Sequence, residues 1–146
     1  MTTKMEYHNP VLLHPTVDGL DIKPDGIYVD VTFGGGGHSK EILRRLGPNG
    51  KLFAFDQDED ALANALPDER FTLINENFRF IKRFLRFYGV KGVDGILADL
   101  GVSSHQFDVA ERGFSTRFDA GLDMRMSQKN DLSAYRVVNE YDDANL

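Results

Sequence analysis

Four short apolar runs divide the chain, and each of the first three is followed by a turn and a stretch with helical spacing. The runs cover residues 27–33, 51–56, 71–75 and 93–99. They are nearly continuous in hydrophobicity and rich in β-branched and aromatic residues, which is typical of strands buried on both faces of a parallel sheet. The pattern therefore predicts four parallel strands.

Helical spacing of apolar residues falls between these runs. It predicts helices over residues 39–46, over 58–66 after an N-cap at Asp58, and over 78–88. A short helical pattern precedes the first strand, and another covers residues 132–138. Strands and helices that alternate, joined by right-handed crossovers with a switch point at the first strand, predict an α/β, Rossmann-like fold with sheet order 3-2-1-4.

Composition and charge narrow the functional classes. The 146 residues are 41% hydrophobic and 27% charged, with no cysteine and no apolar run long enough to cross a membrane. No apolar leader begins the chain, so we expect a cytoplasmic protein without a membrane partner. The net charge of −6 is not that of a domain that grips nucleic acid by itself.

An RNA partner would therefore need local basic patches. Two sets of residues are candidates: Lys82, Arg83 and Arg86 in the third helix, and Arg112, Arg117 and Arg125 near the carboxyl end of the chain. The alternative interpretation of the first set is a solvated helix face.

Glycines and an acid follow the first two strands. The first strand runs into Gly34, Gly35, Gly36 and Gly37, where positive φ angles and close ligand approach are accessible without a Cβ. Asp56 ends the second strand, 22 positions after Gly34, and this spacing fits an acid that binds the hydroxyls of an adenosine ribose. The alternative for Asp56 is a helix cap, but Asp58 already fills that role.

The glycine spacing discriminates between two cofactor classes. A dinucleotide-binding turn requires a third glycine at the position that Ser39 occupies, which disfavours NAD. S-adenosylmethionine has no pyrophosphate and suits a glycine turn preceded by an acid, here Asp30. The sequence therefore favours S-adenosylmethionine as the cofactor.

Asp99 ends the fourth strand, where amino-directed methyltransferases carry an Asp/Asn-Pro-Pro-aromatic motif. The prolines are absent here. A carboxylate that accepts N–H bonds from an exocyclic amine would make its lone pair more available and stabilise developing positive charge, so Asp99 is the candidate catalytic residue. Asp99 could equally hold the methionine ammonium of the cofactor, and both roles remain open.

Five motifs together closely resemble the ribosomal RNA small subunit methyltransferase H family, also called MraW or RsmH. They are HNPVLL at residues 8–13, YVDVTFGGGGHS at 28–39, DLGVSS at 99–104, ERGFS at 111–115 and LDMRM at 122–126. The resemblance implies transfer of a methyl group from S-adenosylmethionine to the N4 amine of a cytidine in small-subunit ribosomal RNA.

The resemblance also implies roles for individual residues. It implies cofactor contacts from Gly35, Gly36, Gly37, His38, Asp56, Phe78, Asp99 and Gln106. Arg112 and Arg125 lie in family motifs and could meet RNA phosphates; the alternative is internal salt bridges with Asp119 or Asp123. The four histidines lack metal-ligand spacing, so we expect no protein-built metal site.

Family members continue into a helical insertion and further strands. We therefore expect an N-terminal part of such a protein, truncated before the last strands. Its segments would be an arm (1–26), a cofactor-binding core (27–99), an active-site loop (100–131) and the start of the insertion (132–146). The fourth strand would then be an unpaired edge through which the chain could self-associate.

Two other functions stay open at this point. One is a non-catalytic fragment that binds S-adenosylmethionine or a nucleotide, or an RNA-assembly module. The other is a nicotinamide-dependent oxidoreductase, which Ser39 and the lack of a substrate domain oppose.

Overall fold

The structure is a computed structural model that describes residues 12–101, 104–115, 117, 119–142 and 144. Residues 8–11 of the first family motif, residues 102 and 103 of the third, and the predicted arm up to residue 11 lie outside the described residues. Two compact units divide the described chain, with the boundary between Leu100 and Gly101. Each unit is described separately.

The unit before Gly101 contains a parallel sheet of four strands. They are β1 (Ile27–Asp30), β2 (Lys51–Phe55), β3 (Phe71–Ile74) and β4 (Gly95–Leu97). The order is β3-β2-β1-β4 and all three pairings are parallel. Val29 of β1 pairs with Phe53 on one side and Ile96 on the other. The predicted fold class and strand order are confirmed.

Helices connect the strands. The α-helices of this unit are α1 (Leu13–Asp18), α2 (Gly37–Arg45) and α3 (Ile81–Phe87), and a 3-10 turn over Phe78–Phe80 leads directly into α3. The last residues of α2 and α3 lie beside glycine-containing turns, Gly47 and Gly89, as expected for helices that must reverse direction. As the sequence predicts, α2 follows β1 and α3 follows β3, whereas α1 precedes β1.

The predicted second helix, over residues 58–66, is wrong in type and length. Asp58 is its N-cap and accepts a hydrogen bond from the Asp60 amide at 3.0 Å, as predicted. The segment that follows is a 3-10 helix, Glu59–Asn64, and Ala65 is already extended. Pro67 disfavours the α conformation in Leu66, the residue before it, so the segment ends earlier than its apolar spacing suggests.

Two apolar clusters cover the two faces of the sheet. Val17 of α1 and Ile42 of α2 pack with Tyr28, Leu52 and other residues in one cluster. The second cluster contains Val29, Val31, Phe53, Phe55 and Ile74, against which the apolar side of α3 packs. Burying such a side chain fully contributes about 1.5–3 kcal/mol, so the helical layers on both faces stabilise the sheet.

The unit from Gly101 onward is mostly irregular. It contains α4 (Ser104–Asp108), a 3-10 turn (Ala110–Arg112) and α5 (Ala134–Glu140). The helix predicted from Leu132 onward is confirmed as α5, whose N-cap Ser133 accepts from the Arg136 amide. Within the described residues, no helix has the length and apolar character needed to cross a membrane.

Candidate active site

Asp56 connects the ends of β1 and β2. Its Oδ2 atom accepts a hydrogen bond from the Gly34 amide at 2.7 Å, and its Oδ1 atom accepts from the Asp58 amide at 2.9 Å. The carboxylate therefore fixes the first residue of the glycine turn against the segment after β2. Parallel strands bring their carboxyl ends to one edge of the sheet, so this contact lies where ligands bind in open α/β folds.

The glycine turn has the backbone conformation that the sequence predicts. Gly34 and Gly36 have φ angles of 53° and 84°, which side chains of L-residues rarely allow. Gly36 is the N-cap of α2 and donates from its amide to the Phe33 carbonyl at 2.9 Å. A Cβ atom on Gly36 would lie 3.0 Å from the Phe33 ring, so no larger residue fits there without displacing it.

Asp30 lies beneath this turn and is fully buried. The Ser39 hydroxyl donates to its Oδ2 atom at 2.7 Å, and the Thr32 amide donates to its Oδ1 atom at 3.1 Å. Burial raises the pKa of the Asp30 carboxyl, although the Ser39 and Thr32 hydrogen bonds act in the opposite direction. Ser39, the residue that replaces the third dinucleotide glycine, thus braces the start of α2 against the end of β1.

Thr32 joins the end of β1 to the segment after β4. Its Oγ1 atom accepts a hydrogen bond from the Asp99 amide at 2.7 Å. The Val31 amide also donates to the Leu97 carbonyl at 3.0 Å, which continues the strand pairing beyond β1. Asp99 is itself exposed, so its backbone is held while its side chain reaches solvent.

The end of β3 is tied to the same edge. The Asn75 side-chain amide donates to the Asp56 carbonyl at 2.9 Å, and the Asn77 amide donates to Gln57 at 3.3 Å. Asn77 also caps the 3-10 turn that begins at Phe78, whose ring is 43% exposed. These contacts place the ends of β1, β2, β3 and β4 in one hydrogen-bonded frame.

The structure therefore brings most of the predicted cofactor residues to one edge of one unit. All of these except Gln106 lie in the segments that directly follow the carboxyl ends of the strands, including the first residues of α2: Gly35, Gly36, Gly37, His38, Asp56, Phe78 and Asp99. His38 is the second residue of α2 and is buried. Their binding of a cofactor stays a prediction.

Gln106, Arg112 and Arg125 belong to the unit from Gly101 onward. Gln106 lies in α4 and is 4% exposed. Arg112 is almost completely buried, and its Nη2 atom donates to the carbonyls of Arg125 and Met126 at 2.9 and 2.8 Å. The Met124 amide donates back to the Arg112 carbonyl at 2.7 Å. Arg112 therefore clamps the 124–126 segment.

Arg125 forms the internal ion pair that the sequence offers as the alternative to RNA binding. Its guanidinium meets both carboxylate oxygens of Asp123, at 2.7 and 2.9 Å, and donates to the carbonyls of Gln128 and Asn130. This pairing lowers the pKa of the Asp123 carboxyl. Arg125 also lines a cleft of about 310 Å³ with Asp123 and Tyr135. Phosphate contacts by Arg112 or Arg125 stay predictions.

Sequence reasoning assigned no role to two members of the frame. Thr32 and Asn75 bond to the segments that carry Asp99 and Asp56, and both bonds span long sequence separations of 67 and 19 residues. Their position at a strand end, next to a predicted site residue, is the signal that could have found them. Among the described residues, no group of three or more histidines and acids is arranged to hold a metal ion.

The sequence profile of the MraW methylase family matches residues 5–146. The chain belongs to the MraW methylase family. Its sheet and glycine turn are accordingly those of a Rossmann-like methyltransferase fold. The resemblance stated from the five motifs is confirmed.

Individual relatives agree. The ribosomal RNA small subunit methyltransferase H of Flavobacterium johnsoniae is 92% identical over 146 residues, which is 100% of this chain and 48% of that protein. The protein of the same name from Christiangramia forsetii is 75% identical over the same coverage, and that from Phocaeicola vulgatus is 61% identical over 98% of this chain and 47% of its own. This chain spans about half the length of the curated relatives it matches.

Among solved structures, an rRNA methylase from Streptococcus thermophilus is similar to this chain. It is 26% identical, with a TM-score of 0.44, and the match covers 54% of this chain and 51% of that one.

Proposed function

We propose that the unit before Gly101 binds S-adenosylmethionine at the carboxyl edge of its sheet. The observation that carries this proposal is the Asp56 contact to Gly34, which holds a ribose-type acid beside an open glycine turn. Gly34 has no heavy atom closer than 4.0 Å to the place of an added Cβ, so its surroundings leave room for a ligand. This open turn fits a bulky nucleoside.

Different residues of the frame would bind different parts of the cofactor. The Asp56 carboxylate would accept hydrogen bonds from ribose hydroxyls, and the exposed Phe78 ring would lie against the adenine. The amides at the start of α2 favour a negative group such as the methionine carboxylate. S-adenosylmethionine supplies a methyl group on a sulfonium sulfur, which is an electrophile for nitrogen nucleophiles.

The methyl acceptor we propose is the N4 amine of a cytidine in small-subunit ribosomal RNA. In such a transfer the amine lone pair would form the new carbon–nitrogen bond while the sulfur–methyl bond breaks and its electron pair stays on sulfur. The leaving group would be S-adenosylhomocysteine, and one amine proton would pass to solvent. The Asp99 carboxylate accepts an N–H bond of the amine, which raises the electron density on nitrogen and stabilises its developing positive charge. Thr32 holds the backbone of Asp99 during this step.

A stacked cytidine hides its amine from any protein carboxylate, so the base must leave the stack to reach Asp99.

Ribosomal RNA of the small subunit is found in the cytoplasm, which is the compartment we propose for the protein. In this proposal Arg112 and Arg125 of the second unit contact RNA phosphates. Both guanidinium groups also have partners within the chain, so such a contact would add to these bonds or replace them.

The test uses labelled methyl transfer to small-subunit particles, followed by digestion to nucleosides. We expect the label on N4-methylcytidine when the family-length relative is the enzyme. Label on another atom or another base would contradict the specificity. Thermal shift with S-adenosylmethionine, S-adenosylhomocysteine and NAD tests the cofactor separately, because a ligand that binds only the native state raises the melting temperature.

A second candidate function is binding without turnover. It rests on the length of this chain, which covers 48% of the Flavobacterium johnsoniae relative. In that case this chain binds S-adenosylmethionine as the longer protein does, yet transfers no methyl group in the same assay. Transfer by both proteins would exclude the binding-only function.

Self-association through β4 stays a prediction. In the described sheet β4 pairs only with β1, and Ile96 is 53% exposed. Light scattering at high protein concentration tests it, and a strictly monomeric species would contradict it.

A further inference from the structure

Positive charge is concentrated in the segment around α3. Residues 77–93 contain five basic residues and no acidic residue, in a chain whose net charge is −6. We call the four that lie on or just before α3, Arg79, Lys82, Arg83 and Arg86, the α3 basic face. The charge of this segment is opposite in sign to the net charge of the chain, so we ask whether its basic side chains serve the fold or a ligand.

The α3 basic face points away from the core. Its members are spaced i, i+3, i+4 and i+7, so they lie on one side of the helix, and all four are exposed. The opposite side, with Ile81, Phe84 and Leu85, packs against the apolar cluster on the sheet. At 1.5 Å per residue, the face extends over about 10 Å, comparable to three phosphates of a stacked strand at about 3.4 Å each.

The basic side chains of the α3 basic face do not stabilise the fold through ion pairs with described carboxylates. Among the described residues, the seven arginines outside it all donate to internal carboxylates or carbonyls. No described carboxylate lies within ion-pair distance of Lys82, Arg83 or Arg86. The Arg79 guanidinium lies 4.6 Å from the centroid of the neighbouring Phe80 ring. Like charges at i and i+4 destabilise a helix by about 0.2–0.5 kcal/mol per pair, so the face weakens α3.

Exposed aromatic rings lie at the end of the same helix. Phe87 is 80% exposed and Tyr88 is 44% exposed, and their ring centroids are 5.1 Å apart in an edge-to-face arrangement. Tyr88 also contacts Phe53 of β2 at 5.3 Å, which fixes it to the sheet. Exposed rings beside unpaired cations are the combination that binds single-stranded nucleic acid, because bases stack on the rings while cations meet phosphates.

We propose that the α3 basic face is a docking surface for the phosphate backbone of single-stranded RNA, with Phe87 and Tyr88 as stacking partners for bases. The proposal rests on the proposed function, in which RNA carries the methyl acceptor. The α3 basic face begins next to Phe78, at the sheet edge with the candidate site, so RNA bound there would lead toward Asp99. A lipid surface fits less well, since the apolar side of α3 is already packed in the core.

The first test is fluorescence anisotropy with an unstructured RNA oligonucleotide and the full 146-residue chain at several salt concentrations. The variant is Lys82→Gln with Arg86→Gln. Its control is Lys23→Gln with Lys51→Gln, which removes the same charge from exposed lysines near the amino ends of β1 and β2. We expect about 10-fold weaker binding for the first pair, and a salt slope smaller by about 1.4, or about 0.7 for each lost phosphate contact.

Phe87→Ala tests the stacking part. We expect Phe87→Ala to weaken RNA binding without a change in the salt slope, because stacking releases no counterions. Phe87→Trp keeps an aromatic ring and should retain RNA binding. An equal loss of RNA affinity in the Lys82→Gln, Arg86→Gln variant and in its charge-matched control would overturn the proposal. So would the absence of RNA binding by the unmodified chain. Binding to anionic phosphatidylserine vesicles, without RNA binding, would overturn it in favour of a membrane.

S-adenosylmethionine affinity, measured on the same variants, separates the two proposals. We expect it to be unchanged in the Lys82→Gln and Arg86→Gln protein, which also shows that the variant is folded. An unmodified chain that binds RNA through this face but not S-adenosylmethionine would contradict the proposed cofactor and leave the docking surface supported.

Discussion

The Gly34 amide donates to the Asp56 carboxylate at 2.7 Å across 22 residues of sequence. This bond gives Asp56 a structural role beside its proposed role as ribose acceptor. The glycine turn therefore depends on the same side chain that we propose as the ribose acceptor.

Replacement of Asp56 should separate these two roles. Asp56→Ala removes both the loop contact and the ribose acceptor, so we expect loss of measurable S-adenosylmethionine binding and a lower melting temperature. Asp56→Asn retains one acceptor oxygen for Gly34 at a lower strength, and we expect a smaller thermal effect with binding still weakened by about 10-fold or more. Calorimetry and thermal unfolding measure the two effects.

The control for this prediction is Asp25→Ala, an exposed acid in the turn before β1. It lies at the opposite edge of the sheet and should leave affinity unchanged. Unchanged affinity in Asp56→Ala would remove Asp56 from the cofactor site.

Loss of the Thr32 hydroxyl should act on Asp99. Thr32→Val keeps the shape of the side chain but leaves the Asp99 amide without its acceptor. Because a neutral hydrogen bond contributes about 0.5–1.5 kcal/mol, we expect cofactor affinity about 3- to 10-fold weaker in calorimetry. Thr32→Ser retains the hydroxyl and should bind normally. Equal affinities for the Val and Ser variants would show that this hydrogen bond does not position the site.

Glu41 should make stability depend on acid pH. Hydrogen bonds from Arg44, then Arg45, lower the pKa of Glu41 to about 2, and the carboxylate also lies 3.4 Å from His14 of α1. A depressed pKa stabilises the fold above the ordinary value of 4.5, and this contribution is lost as the pH falls toward 2.

Glu41→Gln should therefore lower the free energy of unfolding at pH 7, and the difference from the unmodified chain should shrink between pH 5 and pH 2. Urea unfolding at a series of pH values measures it. Glu69→Gln, at an exposed carboxylate without an ion pair among the described residues, should give a curve parallel to that of the unmodified chain. A Glu41 difference that stayed constant with pH would contradict the assignment.

Arg112 should stabilise the unit from Gly101 onward. Arg112→Ala removes the donor to the partly buried carbonyls of Arg125 and Met126 and opens a cavity where the almost completely buried side chain lies. We expect a loss of about 3 kcal/mol, with faster hydrogen exchange at the Met124 amide, which bonds to the Arg112 carbonyl. Arg117→Ala removes an exposed ion pair and should cost at most about 1 kcal/mol. Similar losses in the two variants would contradict a clamp.

The sequence by itself determined the architecture. Apolar runs and helical spacing are local properties, so they predicted four parallel strands, the order 3-2-1-4 and the helix from Leu132. Gly34, Gly36 and Asp58 were also predictable, because positive φ angles and N-caps depend on residues a few positions away. The predicted helix up to residue 66 was too long because Pro67 ends the segment earlier than its apolar spacing suggests, and its 3-10 form was not predicted.

Only the tertiary structure decided which side chains meet. Thr32 and Asp99 are 67 residues apart and Asp56 and Asn75 are 19 apart, and no local pattern records such pairs. Arg112, for which the family implies an RNA role, shows the same limit: its burial and its bonds to the carbonyls of Arg125 and Met126, 13 and 14 positions away, follow from how the chain folds back on itself. The sequence gives the number and position of the basic residues. Whether a basic side chain is paired within the chain or accessible to a ligand depends on which groups folding brings close to it.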